Sequence, residues 1–315
     1  MNLIVISELF PPEETSTAYI MGEITKTLSD KYNVTIVCGP EVYDQNKLTV
    51  LPKSSLIAGV TTIRVKGIKE NKANKLSRIR KFLLMSWRLY KASKKVINKG
   101  DKVLLVSNPF PLLILMAFHR KKMDYEISFL AHDLFPEPLL MRFKLPNLVY
   151  RQCLNIFNRS YARMDKIISL GRDMTDVLRE KTMPYNPNLE IIQIENWGDI
   201  NSIYPMDTHS DSDKITIEYA GNMGKSQKLD ALIEIFSKAN NKDLYLDFWG
   251  TGEQESYLKE KAQSVSNISF HGPYARASQN KVLNACDIAV ISLNKSILGM
   301  GVPSKSYNIL ASGKP

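Results

Sequence analysis

At 315 residues, with 44% apolar and 23% charged residues, the chain has ordinary globular composition and the length of two domains, which excludes disorder of the whole. Its three cysteines, Cys38, Cys153 and Cys286, lie far apart in no metal-ligand spacing and read as reduced, buried thiols of a cytosolic protein. A net charge of +10 points to an anionic partner without choosing among nucleic acid, phospholipid and a phosphorylated ligand.

The N-terminal MNLIVISELFPPE carries no basic n-region and reads as a first strand rather than a signal peptide. Short runs rich in Val and Ile then alternate with helical spacing. Strands are expected at Leu3–Ser7, Val34–Val37, Thr62–Val65, Val103–Val106, Ile127–Leu130, Lys166–Ser169 and Ile191–Ile194, with helices at Ile20–Leu28, Ile79–Val96 and Arg151–Ala162. No apolar run is long enough to span a bilayer, and the most apolar stretch, Pro109–Phe118, reads as a buried helix. Such alternation implies right-handed βαβ units around a parallel sheet. The polar stretch Pro205–Asp213 reads as part of a linker. The pattern restarts after it: strands at Ile215–Tyr219, Leu244–Phe248, Ile268–Phe270 and Ile288–Ile291, helices at Leu229–Ala239, Ser256–Ala262 and Gln279–Ala285. The expected organisation is therefore 1–200, a linker 201–213, and 214–315. The last 102 residues hold only about four strands, so the second domain is expected to be incomplete and the chain truncated.

Five segments could carry chemistry. Gly221, Asn222, Gly224, Lys225 and Lys228 lie between a strand and a helix, where glycines permit close backbone approach and free N–H groups suit phosphates. A plain strand–helix turn with solvated lysines is an equal alternative. Gly250 and Gly252 follow the next strand and could line a nucleotide base, though a tight turn explains them as well. His132, Asp133 and Glu137 cluster after strand Ile127–Leu130, where groups could orient or deprotonate a sugar hydroxyl. The plainer account is a helix cap by Asp133 with a satisfied histidine. Ser16 and Thr17 could contact an acceptor or a phosphate, or merely cap a helix. Last, residues 66–102 hold thirteen Lys/Arg against two acids, Glu70 and Asp101, with Phe82, Leu83, Leu84, Trp87, Leu89 and Tyr90 interleaved. That belt suits an anionic membrane surface, or a solvated helix packed on its domain, or nucleic acid. Asp211 and Asp213 have the spacing of a metal pair but sit in the polar linker, so no metal is expected.

Taken together, the segments resemble glycosyltransferase family 4, the retaining enzymes of the GT-B fold. ISELFPPE is similar to that family's strand-one loop and AHDLFPE to its D-L-W-P-E segment. IENWGD is similar to its I-P-N-W-V-D hinge, EYAGNMGKSQKLDAL to its donor-phosphate loop, and GVPSKSYNILASGKP to its closing P-S-K-x-Y-E-x-L-A-x-G-K-P. The resemblance implies two Rossmann-like α/β domains and a nucleotide-sugar donor held mainly by the second. Lys228 would hold the diphosphate, and Leu298–Pro303, with Gly301, Pro303 and Ser304, would sit near the donor sugar. Asn308 stands where the family's second ribose-binding glutamate falls, and Asn222 where it often has arginine. The resemblance further implies a polyprenyl-linked saccharide acceptor, met over the first domain by Ser16, Thr17 and Glu137, with His132, Asp133 and Lys228 catalytic. It implies no cofactor, no metal and no nucleic acid. A cytoplasmic protein peripheral at the inner face of the plasma membrane is expected, working in capsule, O-antigen or exopolysaccharide synthesis. The rival expectations are an inactive truncated remnant, a nucleotide-sugar 2-epimerase, and a basic nucleic-acid-binding protein.

Overall fold

A computed structural model describes residues 1–13, 15–41, 57–69, 75–140, 146–207, 214–239 and 241–315. The chain forms two compact units, Met1–Glu195 with Gly299–Val302, and Asn196–Leu298 with Pro303–Pro315. This division differs from the expected one at 200. Residues just after Glu195 are recruited by the second unit: Ile203 is buried there with Leu283 and Ile309, and Asp199 pairs with Arg276 at 3.1 Å. The polar stretch Pro205–Asp213 does not coincide with the boundary, and its residues 208–213, with Asp211 and Asp213, lie outside the described residues.

The first unit runs β1 (Asn2–Ser7), α1 (Ser16–Ser29), β2 (Asn33–Cys38), β3 (Val60–Arg64), α2 (Lys75–Val96), β4 (Lys102–Val106) and α3 (Pro111–Arg120). It continues with β5 (Glu126–Ala131), α4 (Glu137–Leu140), α5 (Asn147–Tyr161), β6 (Lys166–Ser169), α6 (Arg172–Thr182) and β7 (Glu190–Gln193). The seven strands form one sheet in the order β3-β2-β1-β4-β5-β6-β7, and every pairing is parallel. Strands buried on both faces must be apolar throughout rather than alternating, which is why Leu3–Ile6 and Val103–Val106 are continuous hydrophobic runs, all buried. The apolar stretch after β4 is indeed a core helix: Leu112, Leu113, Met116 and Ala117 of α3 are buried, with Pro111 at its first turn.

The second unit runs β8 (Ile215–Ala220), α7 (Leu229–Ala239), β9 (Leu244–Trp249), α8 (Glu255–Ala262), β10 (Ile268–Gly272), α9 (Gln279–Leu283), β11 (Ile288–Ala289) and α10 (Lys305–Ala311). Its strands form a parallel sheet in the order β10-β9-β8-β11. One face buries Tyr219, Leu246 and Phe248 under Leu229, Ile233 and Phe236 of α7 and Leu258 of α8. Both sheets share a topology in which the strand order reverses beside the first strand, between β1 and β4 and between β8 and β11. Open parallel sheets of this kind place ligands beyond the carboxyl ends of the strands at that reversal.

Candidate functional site

In the second unit, β8 delivers Gly221 to that reversal, and the residues after it form a turn locked from several sides. The Tyr219 hydroxyl donates to the Asn222 carbonyl at 2.7 Å, and the Gly224 N–H donates to Gln227 Oε1 at 3.1 Å. Residues Lys225–Gln227 make a single 3-10 turn. The loop after β11 clamps it, with Ser292 Oγ donating to the Gln227 carbonyl at 2.5 Å and the Asn294 N–H to the Ser226 carbonyl at 2.7 Å. The turn ends at Lys228 with φ 51° and ψ 39°. Among the described residues it is the one non-glycine at positive φ. A lysine there costs about 1 kcal/mol, and such outliers mark functional positions more often than chance.

The turn after β9 is pressed against the turn after β8. Gly221 N–H donates to the Trp249 carbonyl at 2.8 Å and Met223 N–H to the Thr251 carbonyl at 2.9 Å. A Cβ on Gly250 would lie 2.1 Å from the Gly221 carbonyl oxygen, and one on Gly252 would lie 2.4 Å from that of Met223. Glycine at both positions is therefore a condition of the two backbones meeting. Beside them opens a pocket of about 360 Å³ lined by Gly224, Lys225, Lys228, Gln254, Tyr257 and Asn294, among others. Two lysines, two carboxamides and a phenol give it the donors an anion with hydroxyl groups requires.

Lys305, the first residue of α10, also reaches this turn. Its Nζ lies 3.7 Å from the centroid of the Tyr219 ring and 2.7 Å from where a Gly221 Cβ would be. The ammonium is buried, it has no hydrogen-bond partner among the described residues, and burial lowers its pKa to about 8. Sequence reasoning missed this residue. A lysine between two serines at a helix start reads as an ordinary solvated side chain, and only the fold turns it inward.

Of the other expected donor contacts, Asn308 is engaged elsewhere. Asn308 Oδ1 accepts the Asp199 N–H at 3.2 Å, so that carboxamide oxygen braces the segment entering the second unit. Ser304 stands at the N-cap of α10 and makes no side-chain cap bond, while the Pro303 carbonyl accepts from Ser306. Gly301 belongs to the first unit.

In the first unit, the loop after β5 meets Gly299–Val302. Asp133 and Gly301 form an antiparallel bridge, and the Leu134 N–H donates to the Met300 carbonyl at 2.7 Å. The Asp133 N–H donates to Ser107 Oγ at 3.2 Å. A Cβ on Gly301 would lie 2.9 Å from Asp133 Oδ1, so the glycine admits the carboxylate against bare backbone. Desolvation raises the Asp133 pKa against the pull of a hydrogen bond from Asn108, while the residue as a whole keeps an exposed surface. His132 is pushed down to about 4 by burial, and its Nε2 has no partner among the described residues. Burial therefore favours the neutral imidazole.

One expectation in this unit meets a different arrangement. Glu137 does not face an acceptor openly: its carboxylate forms a buried ion pair with Lys181, whose side chain is only 6% exposed. Its place at the start of α4 turns it onto α6, and a carboxylate buried with a lysine pairs with it rather than with solvent. Ser16 and Thr17 do not cap α1 either. Thr15 does, its Oγ1 accepting the Ala18 N–H at 3.2 Å.

The basic belt of residues 66–102 is largely α2. Its solvent-facing stripe carries Leu76, Leu83, Leu84 and Trp87 among Arg80, Lys91, Lys94 and Lys95, while Leu89 is buried. The Lys91 Nζ sits 5.2 Å from the Trp87 ring centroid. Among the described residues no helix is long and apolar enough to cross a membrane.

Two successive parallel, doubly wound α/β units, each with its strand order reversing beside its first strand, are the architecture of the GT-B fold. Along its full length the chain is 25% identical to the probable glycosyltransferase WbjE of Pseudomonas aeruginosa, covering 79% of that protein. Among solved structures it matches sucrose-phosphate synthase from Thermosynechococcus elongatus with a TM-score of 0.71 at 11% identity, covering 100% of this chain and 80% of that one. It matches Anabaena HepE in complex with UDP-glucose with a TM-score of 0.63 at 14% identity, covering 100% and 79%. No family model matches the chain.

Proposed function

We propose that the protein moves a sugar from a nucleoside-diphosphate sugar to a polyprenyl-linked saccharide, with retention of anomeric configuration, in the synthesis of a capsule, O-antigen or exopolysaccharide. The observation that carries this reading is the clamped Gly221–Lys228 turn, whose Lys225 and Lys228 line a pocket of about 360 Å³. A solved neighbour holding UDP-glucose supports the donor class.

In this reading the bond from the anomeric carbon to the diphosphate oxygen breaks, and charge develops on the departing oxygen. Lys225 and Lys228 stabilise that charge from a turn whose backbone is already held in place, so little reorganisation is needed as it forms. The acceptor hydroxyl attacks from the face the diphosphate leaves, its oxygen bonding to the anomeric carbon while its proton passes to the departing diphosphate oxygen. His132, neutral through burial, and Asp133 position it. The exposed apolar and cationic stripe of α2 supports an acceptor delivered from an anionic lipid surface at the cytoplasmic face of the membrane.

The test is Lys228→Asn. Asparagine tolerates the left-handed backbone and removes the charge, so the fold is kept. Transfer should fall about 100-fold or more in kcat/KM, the usual cost of losing one stabilising donor. Turnover equal to the parent's would refute the assignment. Separately, a nucleotide sugar that binds only the folded state should raise the melting temperature of the parent.

A further inference from the structure

We propose that Lys305 is a second cation for the donor's diphosphate, acting at Gly221 alongside Lys228; the proposal rests on the donor reading above and deepens it. A buried ammonium without hydrogen bonds is costly and persists where something else repays it. The Tyr219 ring 3.7 Å away offers a cation–π contact, but it satisfies none of the three N–H donors. The Gly221 turn lies beside it, and the missing side chain there leaves the space the Nζ fills. A diphosphate on that turn would therefore bring oxygens toward an ammonium that has no other partner among the described residues.

The charge environment fits this role. Burial is the cause of the lowered Lys305 pKa, and the titratable group facing it from β8 is the Tyr219 phenol, itself held protonated by burial. The turn Gly221–Gly224 contributes no titratable side chain. An arriving anion would favour the charged lysine, so binding should draw a proton onto Lys305 near pH 8. A nucleoside diphosphate is already fully ionised there and releases none.

The experiment is calorimetric titration of the parent and Lys305→Met with UDP, GDP and ADP, and with uridine as a phosphate-free arm. It is run at pH 8 in buffers of different ionisation enthalpy. Methionine keeps the unbranched stem over Tyr219 and removes the charge. The expected result is a 10- to 100-fold weaker diphosphate affinity in Lys305→Met, uridine affinity within twofold of the parent, and a melting temperature equal to or above the parent's. The parent should take up a fraction of a proton that the variant does not. Diphosphate affinity within twofold of the parent overturns the role of Lys305 and leaves the donor reading standing. Absence of proton uptake in the parent also overturns it, and needs no variant. A parent that binds none of the three diphosphates overturns the donor reading and this one with it.

Discussion

Replacing Gly250 by alanine tests whether the two turns truly meet at bare backbone. Gly250 sits at φ +115° and a Cβ there would lie 2.1 Å from the Gly221 carbonyl oxygen, far inside contact distance. The positive φ alone costs a non-glycine residue about 1–2 kcal/mol. The clash cannot be relieved by a rotamer, because the obstacle is backbone. The turns must separate, straining the bonds from Gly221 to Trp249 at 2.8 Å and from Gly250 to Gly272 at 2.7 Å. Overpacking of about 1–3 kcal/mol and about 1 kcal/mol for a lost hydrogen bond bring the total to about 3–6 kcal/mol. Gly272→Ala is the control in the same unit: its φ is +76°, with nothing within 4 Å of a new Cβ, so it carries backbone strain alone. Differential scanning calorimetry should show Gly250→Ala melting about 10 °C or more below the parent, and Gly272→Ala only a few degrees below. Equal losses in the two variants would mean that the close approach is not why glycine stands at 250.

Two further outcomes are expected. Glu218 lies buried in β8, and burial first, then the neighbouring Asp247, raises its pKa to about 8 despite the opposing pull of Lys314. Between the ordinary carboxylate value of 4.5 and about 8 the folded protein holds a proton that the unfolded chain has lost. Stability should therefore fall as pH rises through that window. Glu218→Gln should flatten this slope and gain about 1–3 kcal/mol at pH 8.5, read by urea unfolding across pH; an unchanged slope would discard the idea. On the surface, Leu84→Ser with Trp87→Ser should abolish sedimentation with vesicles containing anionic lipid and leave turnover on a soluble acceptor intact. Sedimentation equal to the parent's would remove α2 from membrane docking.

Much of the architecture was legible in the linear pattern because both sheets are parallel and the central strands of the first are buried on both faces. That demands continuous Val/Ile/Leu runs such as Val103–Val106, and helices such as α3 advertise themselves between them. The Gly221–Lys228 turn was legible for a related reason, since glycines at a strand–helix junction restrict the backbone locally. Side-chain engagement was not. Glu137 looked like a catalytic-type acid in AHDLFPE, yet Lys181, 44 residues on, claims it. Asn308 looked like a ribose ligand, yet its oxygen serves Asp199, 109 residues back.

What the order of residues determined by itself was the alternation of strands and helices, hence two parallel α/β units, and the glycine turn where a phosphate-binding site could form. These depend on neighbours a few residues apart, through burial and backbone conformation. Tertiary structure decided which polar groups remain free to meet a ligand. It turned Lys305 inward against Gly221, returned Gly299–Val302 to lie beside Asp133, and consumed Glu137 in an ion pair. Such pairings depend on which distant residues the sheet brings within a few ångströms, and desolvation there, rather than residue type, sets which charges remain unpaired.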